Sequence, residues 1–481
     1  MDKKLDFEFL FAESDTMLAC ETYSKISSDD SEFHYNCRRN TIGYAQDCYY
    51  SFYVTPEDNE LIGERGRIFL TETYVESFLS KSQKTREQLD AFYLKLSQTN
   101  LAIATNGEIF KLLSEYLVLF SRVHSLFMAS QFEPLVFVEK KLKGLILIER
   151  LKKELGEIFS TLVTNSEFDL IKREALEFTK FASNAHSDKE LLEYAFRNSW
   201  LFWNCHSNKN AIEFLKNRIV DFKQESESYA EKKKRFANEQ SDLIKKQQKI
   251  LASFENRAEI ERLALVFQKM SHDRLELKSY WVGEFKLLYF FEEIAKRIGV
   301  SVSDLIKTYR LKEIEDGLLC DKPLPAKEVE NRKKHFLFLV KDKKLEFYSG
   351  VKAFEITQAL LPKEDKNKSS FVQGITANSG VATGKVRIVH VVGLDQLISD
   401  MKDFREGEIL ITSMTQPTFV TMAKKAAAIV TDEGGLTSHA AVIAREFKIP
   451  CIVGCKIAMK TFKTGDLIEV DANKGIVRKI S

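Results

Sequence analysis

The chain is poor in the residues that break helices and in those that staple small extracellular folds: 7 prolines, 20 glycines and 7 cysteines in 481 residues. The cysteines are Cys20, Cys37, Cys48, Cys205, Cys320, Cys451 and Cys455. They include no CxxC pair, and an odd number cannot all pair within one chain. This argues against a disulfide framework and for a reducing compartment, so a cytoplasmic location is expected. No unbroken run of 18 apolar residues occurs, and Met1-Asp2-Lys3-Lys4-Leu5-Asp6 lacks the apolar core of a signal peptide, so no membrane partner is expected. Neither sign of charge dominates, with Lys+Arg 72 against Asp+Glu 70. No broad basic field therefore points to nucleic acid. At 44% apolar and 30% charged residues the composition is that of an ordinary globular protein, long enough for roughly three domains.

The distribution of the scarce residues divides the chain. From Glu157 to Val282, 126 residues, there is neither glycine nor proline, which predicts a set of long helices. Within that stretch Leu215, Phe222, Tyr229, Phe236, Leu243 and Ile250 recur every seven residues. The companion seam begins apolar at Ile212 and Ile219, then turns polar at Ser226, Lys233, Gln240 and Gln247. One narrow stripe on a long charged helix predicts a helical hairpin or short coiled coil, and packing against its own neighbour outweighs partner docking. Upstream, Tyr49–Val54 has strand composition, Thr55-Pro56-Glu57-Asp58 reads as a turn, Gly66–Leu70 as a second strand and Thr71 to Leu96 as a helix. The segment Pro362–Ser370 is charged and polar and reads as a linker.

Beyond the linker, the last 108 residues hold 10 of the 20 glycines. Strands are predicted at Lys385–Val392, Glu408–Thr412, Ala428–Thr431, Ile449–Val453, Asp466–Val470 and Gly475–Arg478. Helices are predicted at Asp395–Lys402, Thr418–Lys425 and His439–Phe447, making a small α/β domain. The segment Thr431-Asp432-Glu433-Gly434-Gly435-Leu436-Thr437-Ser438-His439-Ala440-Ala441 concentrates chemistry. A strand ends, Gly434 and Gly435 allow close backbone approach, Thr437 and Ser438 offer hydroxyls, and His439 opens a helix. Free N–H groups and the helix dipole there favour an anion such as a phosphoryl group, and a neutral imidazole is a competent nucleophile. Arg445 further along can balance phosphate charge or pair with a carboxylate. An inert histidine beside a capping Ser438 is one alternative. Metal ligation is another, disfavoured because no second His stands at ligand spacing. His272 and His390 have no comparable surroundings.

Residues 374–478 resemble the mobile phosphohistidine domain of the phosphoenolpyruvate-utilising enzymes. The resemblance rests on Gly434-Gly435-x-Thr437-Ser438-His439-Ala440-Ala441, Ala444-Arg445-Glu446, Ile449-Pro450 and Gly454. Gly374, Gly380 and Gly384 precede that segment, with Thr415 and Pro417, and Gly465-Asp466, Val470-Asp471 and Gly475 follow it. Ser379, and Thr418-Phe419 after Pro417, depart from the family pattern. The resemblance implies a swivelling domain in which His439 becomes phosphorylated on Nε2, with Thr437, Ser438 and the helix start holding the transferred group. A weaker likeness links Asp304–Ile314 and Asn331–His335 to the helical region that precedes this domain in rifampin-phosphotransferase-like proteins. Arg274, Arg310, Arg332 and Lys333 in and around that region are most simply solvated charges.

The expected architecture is multidomain: a mixed α+β N-terminal region at 1–130, a long-helix domain at 131–361, a linker at 362–373 and a C-terminal α/β swivelling phosphohistidine domain at 374–481. No ATP-grasp module and no GxxxxGK[ST] loop is found, and no phosphoenolpyruvate barrel is expected after Ser481. The resemblance therefore implies a phosphotransferase component with no cofactor bound directly. ATP and Mg would lie on a separate ATP-grasp polypeptide, and a small-molecule acceptor would be held by the upstream regions. The alternative is a non-enzymatic phosphocarrier or regulatory protein whose helices dock a partner.

Overall fold

The run Tyr49–Val54 is a strand, as its aromatic and β-branched composition predicts, and it pairs antiparallel with Thr41–Gln46. The structure, a computed structural model, describes all residues except 1–5, 15, 29–36, 48, 152–153, 204, 224–226, 362–370, 392–393, 416, 436–437 and 481. Of the predicted linker at 362–373, residues 362–370 lie outside the described residues, while Phe371–Gln373 are not linker but a strand. By contacts the chain forms two units, Met1–Leu10 with Asp15–Pro362, and Phe11–Ser14 with Lys363–Ser481.

A five-stranded sheet runs in the order β1 (Glu8–Ser14), β3 (Tyr49–Val54), β2 (Thr41–Gln46), β4 (His335–Lys341), β5 (Lys344–Ser349), and the first unit holds β2 to β5 and β1 as far as Leu10. The central strands β2 and β4 are buried along almost their whole length, so they lack the in–out alternation of a half-exposed strand. On one face Ile42, Tyr44, Leu337 and Leu339 pack with Ala353, Ile356 and Leu360 of the Gly350–Leu360 helix. On the other, Tyr50 stacks with Phe336 and tilts against Tyr23 of the Met17–Ser28 helix, and its hydroxyl meets Ser24 Oγ at 3.3 Å. Gly43 makes this possible, because a Cβ there would lie 1.9 Å from the Tyr50 hydroxyl. The sequence reading has no strand at 335–349, since a continuous apolar run such as His335–Lys341 has no period to distinguish strand from helix.

Three local readings change. Thr55-Pro56-Glu57-Asp58 is not a turn but the start of the Pro56–Arg65 helix, with Thr55 Oγ1 accepting the Asp58 N–H and proline in the first turn. Gly66–Leu70 is a 3-10 helix, not a strand, and Gly66 lies so close to Pro134 that a Cβ would fall 1.8 Å from its carbonyl oxygen. The heptad stripe is divided between two helices, Asn208–Phe222 and Tyr229–Leu251. The second helix packs on Leu155–Val163 and Leu170–Ala182. Its buried seam residue Gln247 donates to the Thr161 and Thr164 carbonyls at 2.9 and 2.8 Å, which ties down the end of the first of those helices.

The helices predicted between Glu157 and Val282 are present, the longest being Arg257–Trp281. The stretch Asn106–Glu149 is long and apolar enough by composition to cross a membrane. It comprises two helices, Asn106–Ala129 and Phe132–Glu149, and the first buries Ile109, Leu113, Phe120, Val123 and Leu126 against its neighbours, as a core helix does.

In the second unit eight strands follow the order β6 (Phe371–Gln373), β13 (Ile476–Lys479), β12 (Leu467–Asp471), β8 (Val381–Ile388), β9 (Ile409–Thr412), β10 (Ala428–Thr431), β11 (Cys451–Val453), β7 (Ile375–Asn378). The strands β8, β9, β10 and β11 are parallel, and the helices Leu394–Asp403, Val420–Lys425 and His439–Phe447 fall between them in sequence. The others are antiparallel. Only Gly374 separates β6 from β7, yet these strands stand at opposite ends of the order. The sheet therefore curls until its ends meet, with the Gly374 N–H on the Gly475 carbonyl at 3.0 Å and Thr376 Oγ1 on the Ala472 carbonyl at 2.6 Å. A side chain at Gly374 would fall 2.7 Å from Cys455 Sγ, Ile452 Cγ2 and the Val453 carbonyl oxygen. Val386, Ile409, Ile411, Val430, Ile452, Ile468 and Val477 fill the interior.

Candidate functional site

Three parallel strands end side by side at Thr412, Thr431 and Val453. The carboxyl ends of parallel strands are where α/β sheets place ligands, because the loops there converge while helices cover the faces. The loop after β10 carries His439. It is laced to its neighbours: the Asp432 and Glu433 N–H groups donate to the Thr412 and Ser413 carbonyls at 3.1 and 2.9 Å. The Cys455 and Lys456 N–H groups donate to the Thr431 and Asp432 carbonyls at 3.0 and 2.9 Å.

Gly434 takes φ +99°, a conformation side chains rarely adopt, and a Cβ there would sit 2.9 Å from Ser438 Cβ. The turn thus brings Ser438 against the loop. Ser438 caps the His439–Phe447 helix, its Oγ accepting the Ala441 N–H at 3.3 Å, and its own N–H reaches the Gly435 carbonyl at 2.9 Å. His439 is the first helical residue, at the end where the dipole is positive and main-chain donors collect.

The imidazole is oriented by a residue absent from the predicted site. Thr415 Oγ1, on the loop after β9, lies 2.9 Å from His439 Nδ1. Thr415 is only 4% exposed, so this hydroxyl is a fixed partner. The hydroxyl-rich run Thr412-Ser413-Met414-Thr415 directly after a buried strand is the signal that could have found it. Asp432 is the other addition. Its buried carboxylate accepts the N–H groups of Ala458 and Met459 at 2.5 and 3.2 Å, and burial pushes it up to about 6, against those two hydrogen bonds and the Lys460 charge.

The structure thus brings together Gly434, Gly435, Ser438 and His439. Thr437 lies outside the described residues. Arg445 is six residues beyond His439, about 240° around the helix axis. It is half-buried, its guanidinium is 3.5 Å from the Ala377 carbonyl oxygen, and burial draws it below the ordinary arginine range. His390 lines a cleft of about 680 Å³ with Arg387, Asp400, Met459, Lys460 and Lys463. His272, in the first unit, lies within 3.9 Å of Glu167 and Glu276. Also in the first unit, Arg310 and Arg332 both bond Glu313 at 2.9 and 3.1 Å, and Lys333 pairs with Asp304 at 2.7 Å. Arg332 and Lys333 so tie one helix to two others, while the Arg310 pair caps the Leu311–Cys320 helix from its own N-terminus.

Residues 404–475 match the family model described as PEP-utilising enzyme, mobile domain. Over 117 residues the chain is 43% identical to the phosphoenolpyruvate synthase of Pyrococcus furiosus, and over 114 residues 42% identical to a probable phosphoenolpyruvate synthase of Archaeoglobus fulgidus. Each match covers 24% of this chain and 14% of the relative. A Bacillus subtilis protein described as an uncharacterized phosphotransferase, YvkC, is 37% identical over 129 residues, 27% of this chain and 15% of that protein. A solution structure of Enzyme I (nEIt) is 30% identical over 18% of this chain and 38% of that one, with a TM-score of 0.16. The chain thus spans about one seventh of the length of the curated relatives it matches. With the glycine turn, the capping serine and His439 at the head of its helix, the segment carrying the site matches the PEP-utilising enzyme mobile domain over residues 404–475.

Proposed function

We propose that the chain is a phosphotransferase component that carries a phosphoryl group on His439. The observation that carries this reading is the pairing of His439 Nδ1 with the fixed hydroxyl of Thr415 at 2.9 Å, at a helix N-terminus. When Nδ1–H donates to Thr415 Oγ1, the lone pair stays on Nε2 and aims away from the threonine. Nε2 then attacks phosphorus in line: the N–P bond forms as the bond from phosphorus to its leaving oxygen breaks, and that oxygen keeps the electron pair. In the return step an acceptor nucleophile attacks the same phosphorus, and the N–P electron pair goes back to Nε2. Such transfers need position and charge stabilisation more than acid–base chemistry, and the positive end of the helix dipole supplies the charge stabilisation.

The donor in this reading is ATP with Mg, bound by a separate ATP-grasp polypeptide. The β-phosphoryl group moves to His439 as AMP leaves and the γ-phosphoryl group passes to water as phosphate. A small-molecule acceptor, held by the upstream region, then receives the group from His439. Support for a donor on another chain comes from the first unit. The 126 residues from Glu157 to Val282 offer no glycine for a phosphate loop. The test is incubation with a candidate ATP-grasp partner and β-labelled ATP. Acid-labile label on the wild type and none on His439→Ala is expected. Label that persists in His439→Ala overturns the reading.

A further inference from the structure

Asp432 bridges every segment that meets at the site. Its N–H donates to Thr412, on the strand that leads into Thr415, while its carbonyl accepts from Lys456. Its carboxylate holds the amides of Ala458 and Met459. On either side, Glu433 bonds Ser413 through its N–H and Gly454 through its carbonyl, the latter at 3.4 Å. The segment so gripped is one that resists its own geometry: Gly454 and Lys456 both take positive φ, +70° and +65°, and lysine does so only when its surroundings enforce it. Two residues after Asp432, Gly434 packs on Ser438, and the Gly434 carbonyl lies 3.1 Å from where a Gly454 Cβ would be. A mere cap for the four-residue Ala458–Thr461 helix could be a surface serine or asparagine. A carboxylate kept 9% exposed between two other loops is a costlier arrangement and implies a further task.

We propose that the Asp432 carboxylate is a positioning group for the phosphoryl-carrying loop: by holding the Ala458 and Met459 amides it fixes the neighbouring Gly454 and Lys456, whose amides bond the Glu433 and Asp432 carbonyls, and so places Gly434 and Ser438 such that His439 is aimed. The proposal rests on His439 being the carrier. Cys455 and Lys460 are the other titratable groups whose charges reach this carboxylate.

The test uses the full chain and potassium phosphoramidate, a small phosphoryl donor that needs no partner, with phosphohistidine followed by phosphorus NMR. Asp432→Ala is expected to label roughly tenfold or more slowly than the wild type, since misplacement of about 1 Å costs up to about a hundredfold. Asp432→Asn keeps one carbonyl acceptor in place and is expected to recover most of the rate. Ile468→Val, which thins the core of the same unit away from the loop, is expected to lower stability and leave the rate unchanged. Wild-type labelling speed in Asp432→Ala, or equal slowing in Ile468→Val, overturns the positioning role. If Asp432→Ala does not fold, Asp432→Leu, which keeps the bulk and removes both acceptors, takes its place, and an unchanged rate there overturns it equally. No label on wild-type His439, or label retained in His439→Ala, instead removes the carrier reading itself.

Discussion

Replacing Thr415 by valine keeps the shape of a side chain that is 4% exposed and deletes one hydroxyl. The hydroxyl meets His439 Nδ1 at 2.9 Å. In the resting protein this is a bond between neutral groups, with a net value of about 0.5–1.5 kcal/mol. As Nε2 bonds to phosphorus the ring gains positive character, the Nδ1–H becomes a stronger donor, and the bond is worth about 1.5–3 kcal/mol. Only the part gained on the way to the transition state speeds the reaction. That part is about 1–2 kcal/mol, so Thr415→Val should slow phosphorylation of His439 by roughly 5- to 30-fold at about 1.4 kcal/mol per decade. The assay is single-turnover labelling, from phosphoramidate or from the charged partner, beside a thermal melt of the same sample. An equal melting temperature with the predicted slowing supports the argument. A rate within twofold of the wild type would refute it, because Nδ1 would then need no fixed partner to leave Nε2 free.

Other substitutions test the supporting frame. Gly434→Ala forces a side chain into φ +99° and to within 2.9 Å of Ser438 Cβ, and should cost about 1–3 kcal/mol while displacing the cap, seen as a lower melting temperature together with slower labelling. Ser438→Ala removes the cap on the Ala441 N–H and should cost about 1 kcal/mol in denaturant unfolding. Burial raises the Asp432 carboxyl from 3.8 to about 6. The folded state therefore binds more protons than the unfolded state between those values, and this group's contribution to stability grows as pH falls from about 6 towards 4. The difference in unfolding free energy between wild type and Asp432→Asn, followed against pH, should show that trend, and a flat difference would contradict it. In the first unit, Gly43→Ala places a methyl 1.9 Å from the Tyr50 hydroxyl and should lower the melting temperature through overpacking, by about 1–3 kcal/mol.

Much of the second unit was legible because its signals are local. Short apolar runs between glycines gave six strands in nearly their observed places, and the His439–Phe447 helix matched residue for residue. The short edge strands β6 and β7 were not legible. They exist because the sheet closes on itself at Gly374, and closure is a property of the whole circuit of pairings. The same distinction governs the first unit. The helices between Glu157 and Val282 follow from what is missing there, but the break in the heptad stripe does not. The seven-residue spacing steps in register from Phe222, the last residue of one helix, to Tyr229, the first of the next, and so carries no sign that two helices share it. The strands at 335–349 were hidden for the opposite reason: β4 is buried along nearly its full length, so burial erased the alternation that would have marked it.

The site divides along the same line. Gly434, Gly435, Ser438 and His439 are contiguous, and each has a chemical reason that can be read from its neighbours in sequence. Thr415 and Asp432 act through partners far from them in sequence. Thr415 reaches a histidine 24 residues on, and Asp432 reaches amides 26 and 27 residues on. Nothing in the sequence near Thr415 says that its hydroxyl points at imidazole; that follows only once β9 and β10 are parallel neighbours in register, Thr412 beside Thr431. The register matters because it sets the two loops off from adjacent strand ends, so that three further residues on one strand and eight on the other bring Thr415 and His439 within hydrogen-bonding distance. A shift of one residue in that pairing would turn every side chain of the strand to the other face and separate the two groups. The motif therefore singles out His439, while the aim of its ring is set by the pairing of β9 with β10.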